Sequence, residues 1–128
     1  MTLRLIDSDI AVDLLRSYPP AVNWLDSVNV LPGMPGHVMM ELIRGCGNAD
    51  EVRIVRSYFN HLKFYWPSSE DCNRAVNSYS AGHLSHSLGI IDALIGETAV
   101  GLDAILYSFN TKHMRSIPHL KIEQPYPR

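Results

Sequence analysis

Cysteine, long apolar runs and excess positive charge are all scarce in this chain, and each shortage removes a class of protein. The two cysteines, Cys46 and Cys72, stand in no C-x-x-C spacing, which argues against a zinc ribbon or disulfide scaffold and favours a reducing compartment. No apolar run approaches the roughly 20 residues of a membrane span, and MTLRLIDSD enters a strand-like pattern with no secretory leader. A cytoplasmic protein without a membrane partner is therefore expected. The formal net charge of −2 excludes a broadly basic surface, so any nucleic acid must be met by a local patch. Repeats, low-complexity segments and linkers are also missing. What is present is 46% hydrophobic residues against 19% charged, ample for a core, and 128 residues suit one domain spanning 1–128.

Along the chain, short apolar runs alternate with helical periodicity. LRLID, residues 3–7, reads as a buried strand, and SDIAVDLLRS as a helix with Ile10, Leu14 and Leu15 on one face and Ser8 as N-cap. Pro19-Pro20 stops that helix and opens another through AVNWLDSV. NVLPG predicts a second short strand, and residues 37–45 a helix broken by Gly45-Cys46-Gly47. Helices are expected over 50–62, 70–86 and 90–100, with strands at KFYW, DAILYS and LKIEQ. Strands separated by helices predict an α/β fold: a mostly parallel sheet with helices on both faces. Such sheets bind ligands at the carboxyl ends of their strands, where the chain order reverses.

Asp7 closes the first strand at that rim. Taken alone it is a helix cap contributing roughly 1 kcal/mol. Glu41, in HVMMELIRG, borders an apolar helix face with Arg44 three residues on, a spacing that usually marks an exposed ion pair. Asp92 lies in GIIDALIGETAVG, where the only other charge is Glu97. It reads either as the cap of a helix starting at Ala93 or as an acid drawn inward by Ile90, Ile91, Leu94 and Ile95. A buried carboxylate is costly unless paired, so a cation should sit beside it. Asn110, in LYSFNTKHM, follows a strand as turn formers do. Asp9 falls on a helix's first turn, where it favours the dipole. Lys112, His113 and Arg115 form a small basic cluster beside Asn110, where a phosphate backbone could dock. His37, His83, His86 and His113 show no metal spacing.

Taken together, LIDSD, MELIRG, DALIGETA and SFNTKHM resemble the PIN domain, and specifically the VapC-type toxins of prokaryotic toxin–antitoxin modules. The resemblance runs nearly end to end and includes SIPHLKI, similar to that family's I-P-G-L tail. It implies a three-layer α/β/α sandwich whose parallel sheet gathers acids at one rim. It also implies a Mg2+- (or Mn2+-) dependent ribonuclease, usually a homodimer, held inactive by a cognate antitoxin. By position Asp7, Glu41 and Asp92 match the family's metal-binding acids, and Asn110 stands where other members carry a fourth acid or this same Asn. Asp9 replaces a more usual Asn, His119 the tail's Gly, and Met114 an aromatic.

Hard divalent cations prefer oxygen donors, which is why carboxylates suit the task. On this reading an ion between Asp7 and Asp92 activates water and stabilises charge on the phosphoryl group. Glu41 holds a second ion or orients the water, and Asn110 tethers a water or a phosphate oxygen. Three rivals stand against it. Asp7-x-Asp9 also resembles the opening of haloacid-dehalogenase-type phosphatases, but their later acidic pair is missing, since after Asp92 the next Asp is Asp103. A receiver domain would need a mid-chain acid after a strand, and Asp50 lies between helices. The third rival is a catalytically silent PIN fold that only binds.

Overall fold

Leu5 and Ile6 are completely buried, as a strand covered on both faces requires, and the sheet is built around them. The computed structural model describes residues 2–128. Its strands are β1 (Arg4–Ile6), β2 (Met34–Pro35), β3 (Phe64–Tyr65), β4 (Ile105–Tyr107) and β5 (Lys121–Glu123). Its helices are α1 (Ser8–Leu15), α2 (Pro19–Ser27), α3 (Gly36–Arg44), α4 (Ala49–Tyr58), α5 (Ser69–Ser85), α6 (Ile90–Gly101) and α7 (Thr111–Met114). All strand pairings are parallel: β1 with β4, β4 with β5, and β2 with β3. A bridge between Leu5 and Gly33 joins the two sets, giving the order β3-β2-β1-β4-β5.

This order fixes where a site can form. From β1 the chain leaves toward β2, and from β4 it leaves toward β5, in the opposite direction. Right-handed crossovers then place α1–α4 on one face and α5–α7 on the other, the expected sandwich. The switch point lies between the carboxyl ends of β1 and β4, where Ile6 pairs with Tyr107. The core runs through it: Leu5, Ile10, Met34, Val38, Ile95, Leu106 and Met114 are all wholly buried. Gly96 lets α6 approach the chain after α7, because a Cβ there would stand 2.3 Å from Ile117.

Several local expectations are corrected. NVLPG is not a strand: Val30 and Leu31 are exposed, only Gly33 touches the sheet, and pairing begins at Met34. Pro32 has no N–H to give a ladder, which breaks the run before it can pair. Helix α1 is capped by Asp7, not Ser8, since the Asp7 carboxylate accepts the Ser8 N–H. Helix α4 ends at Tyr58 rather than residue 62, and α7 lies in a segment read as a turn. His119 adopts a φ of 66°, a left-handed conformation costing a non-glycine residue roughly 1–2 kcal/mol. That accounts for the Gly in the similar family tail.

Candidate metal centre at the sheet switch point

Asp7 leaves β1 directly at the switch point and is 3% exposed. One carboxylate oxygen accepts the Ser8 N–H at 2.7 Å, and the other accepts the Ser108 hydroxyl at 2.7 Å. Ser108 follows β4 and in turn accepts the Asn110 N–H at 3.0 Å. Burial, with the nearby charges of Asp9 and Asp92, pushes the Asp7 carboxyl up to about 7 despite these two donors. Ser108, completely buried, was missed in the sequence, where only its place as the polar end of an apolar strand marks it.

Asp9 spans the same gap. It accepts the Ile10 N–H and the Phe109 N–H, each at 2.8 Å, so it ties the first turn of α1 to the end of β4. Burial raises its pKa, and the backbone donors oppose that rise. Glu41 projects from α3 beside the Ser8 hydroxyl, and burial, with the charges of Asp92 and Asp9, raises its pKa against the opposing effects of the Ser8 hydroxyl and Arg44. Its Oε1 is buried without a hydrogen-bond partner, an arrangement proteins rarely leave unexplained. Arg44 is its nearest cation, 3.7 Å away and 75% exposed, too long and too wet to neutralise it.

Asp92 is not the helix cap. Helix α6 begins at Ile90 with Gly89 as cap, and Asp92, in the third helical position, accepts the Gly89 N–H at 3.1 Å. Nor is it the deeply buried acid of its segment. Asp92 is half-buried, whereas Glu97 is 2% exposed, and the expected cation sits beside Glu97. Arg74 of α5 donates through Nε to Glu97 at 3.0 Å and also pairs with Asp71, while the Ser78 hydroxyl donates to Glu97. The inward pull of the apolar flanks was legible, but one helical turn and a half separates the acid it buries from the acid at the rim.

Asp7, Asp9, Glu41 and Asp92 thus share one electrostatic neighbourhood, opposed only from its margins by two solvated guanidinium groups, Arg44 beside Glu41 and Arg128 toward Asp9. Glu41 and Asp92 line the same cleft, of about 510 Å³. Asn110 stands at the head of α7 with no side-chain capping bond, and its backbone joins the Ser108–Asp7 chain. The donor set, all oxygen and net negative with one orphaned carboxylate oxygen, fits a hard divalent cation. As the side chains stand, no three His, Cys, Asp or Glu among the described residues form a ready cage. The basic cluster is divided: His113 Nδ1 contacts the His86 carbonyl at 2.8 Å, while Lys112 and Arg115 are exposed. Asp103 lies on a turn before β4, at the opposite edge of the sheet from Asp7, and pairs with Lys121 at 2.7 Å. The acidic pair of a haloacid-dehalogenase-type site is therefore not assembled.

No protein-family model matches the sequence, and no curated protein matches it. Solved structures do match. A chain of VapBC-1 from nontypeable Haemophilus influenzae superposes with a TM-score of 0.77 at 20% identity, covering 97% of this chain and 98% of that one. A chain of DNA-bound VapBC from Salmonella typhimurium gives 0.80 at 16% identity, with 96% and 98% covered. A toxin–antitoxin complex from Klebsiella pneumoniae gives 0.76 at 22% identity, with 98% and 99% covered. Over nearly its whole length the chain therefore has the PIN-domain fold of VapC-type proteins, as its sequence motifs imply.

Proposed function

We propose that the protein is a Mg2+- or Mn2+-dependent endoribonuclease acting as the toxin of a toxin–antitoxin pair. The observation that carries this reading is the gathering of Asp7, Glu41 and Asp92 at the switch point with no internal cation, one Glu41 oxygen being buried and unpartnered. Like charges held together this way repel one another, and an external cation relieves that repulsion.

Asp7, Glu41 and Asp92 would hold the ion. Bound there, it would activate water and neutralise charge developing on the phosphoryl group. The protein's own groups do the positioning. Ser8 and Ser108 fix the Asp7 carboxylate from both sides, so its approach direction is set before substrate arrives. The Gly89 N–H fixes one oxygen of Asp92, a residue that lines the cleft together with Glu41. Asp9, committed to two backbone donors, serves as a strut between α1 and β4. Asn110 orients water or a phosphate oxygen through its amide and takes no proton.

The antitoxin is supported by the resemblance and by the toxin–antitoxin complex that shares the fold; the homodimer rests on the resemblance alone. A second cleft of about 600 Å³ between α1, α3 and α4, where Leu15, Ile54 and Val55 lie among the charged Arg16, Glu41 and Glu51, offers a mixed apolar and charged seat for a partner segment. The rival reading is a PIN fold that binds without cutting.

One assay separates the two. Purified protein should cleave single-stranded RNA in millimolar Mg2+ or Mn2+, and excess chelator should stop it. Asp92→Asn should lower the rate by roughly a thousandfold, since removing several kcal/mol of charge stabilisation acts on the barrier directly. Ion-independent cleavage, or full activity in Asp92→Asn, would remove the proposed role.

A further inference from the structure

The cleft that holds Glu41 and Asp92 has a further wall that this chemistry does not use. Tyr79 of α5 and Ile90 and Ile91 of α6 line it together with the acids and Arg44. Tyr79 is half-buried and stacks on exposed His83 one turn later, with ring centroids 5.0 Å apart and planes 29° apart. Ile90 is 61% exposed, so the cleft offers apolar surface to solvent beside its acids.

With Glu41 and Asp92 assigned to the ion and the scissile phosphate, the aromatic and aliphatic wall beside them offers a phosphate no donor and is left for a neutral part of the substrate. A nucleobase fits: it is neutral, and every base offers a π-face to an aromatic ring whatever its sequence identity. Arg44, solvated and only loosely held by Glu41, is placed to take the phosphate on the outer side, where a guanidinium can pair with two oxygens. The cavity lies within the size range of small-molecule clefts, about 300–1,000 Å³.

We infer that this cleft is a nucleobase subsite, in which the base adjoining the scissile phosphate of single-stranded RNA stacks on the Tyr79–His83 pair while Arg44 holds the neighbouring phosphate. The inference rests on the ribonuclease reading above and names the substrate contact that reading lacks. It makes Tyr79 a specificity-determining residue, because the stack demands a splayed, unpaired base and so selects loops and single strands over duplex.

The test uses the full chain and a set of single-stranded oligoribonucleotides, each with one abasic position, with kcat and KM measured separately. For the wild type, one abasic position beside the cut should raise KM by roughly 5- to 100-fold, the contribution of one stacked base. In Tyr79→Leu, KM should already be raised for the intact oligonucleotide, and that abasic position should matter no further. Tyr79→Phe should behave as the wild type, and Arg44→Ala should raise KM alike at every position. Tyr79 also packs against the core, so His83→Ala, at an exposed position, gives a second reading with intact folding: it should shrink the same positional effect. A full abasic penalty retained in both Tyr79→Leu and His83→Ala overturns the subsite and leaves the ribonuclease reading standing. Failure of the wild type to cleave any RNA overturns both.

Discussion

Helix α6 carries two acids five residues apart that the fold treats in opposite ways. Glu97 is buried deeper, yet Arg74 and Ser78 satisfy it, and Asp71 completes a network linking α5 to α6. Asp92 is half-buried, and its neighbours at the switch point are Asp7, Asp9 and Glu41, which meet only the solvated guanidinium groups of Arg44 and Arg128 at their margins. Depth of burial is therefore a poor guide to function in this molecule. What separates the two regions is whether the protein supplies the countercharge: where it does, the acid joins helices, and where it does not, the acids are arranged for something that arrives from outside.

The largest effect expected from this contrast is a pH dependence confined to the rim. The Asp7 carboxyl is raised from 3.8 to about 7, and Glu41 and Asp9 are raised too. The folded, ion-free protein thus keeps protons that the unfolded chain has released. The resulting stability is fully present below about pH 4 and is lost as pH rises to about 7, on the order of 4 kcal/mol for Asp7 alone. Chemical denaturation at a series of pH values, in chelator, should show stability falling across that window, with the slope flattened in Asp7→Asn. A wild-type curve that rises over the same range would break the comparison at its rim side.

The partnered side should respond to loss of its cation instead. Arg74→Ala leaves Glu97 and Asp71 facing each other unpaired. Breaking a fully buried pair costs about 3–5 kcal/mol, and because Arg74 is 40% exposed about 2–3 kcal/mol is expected here. Thermal melts should show a fall of roughly 6–15 °C for a domain of this size. The smallest effect belongs to the exposed Arg53–Asp50 pair, 69% and 77% exposed, where Arg53→Ala should change stability by less than about 0.5 kcal/mol. An equal loss in Arg74→Ala and Arg53→Ala would show that the α5–α6 network holds nothing together.

Much of this was legible in the sequence, for identifiable reasons. Short apolar runs marked β1 and β4, helical periodicity with Pro and Gly breaks marked most helices, and the alternation of elements gave a parallel sheet whose switch point falls beside Asp7. Side-chain partnership was not legible. The pairing of Arg74 with Glu97 spans 23 residues, and the Ser108 hydroxyl reaches Asp7 across 101, so both depend on how helices and strands dock rather than on local pattern. NVLPG misled because composition suits a strand while Pro32 and the exposure of Val30 and Leu31 forbid one. Asp92 misled by three positions, since the cap is Gly89, whose N–H a third-position acid accepts.

The central claim, that the rim acids await a divalent cation, is tested most directly by melting the ion-free protein with and without Mn2+. At a hundredfold excess over Kd the wild type should gain about 2.7 kcal/mol and melt several degrees higher, while Asp7→Asn and Asp92→Asn should gain little and Arg74→Ala should gain as much as the wild type from its lower start. No shift in the wild type, or an equal shift in the two rim variants, would contradict the account.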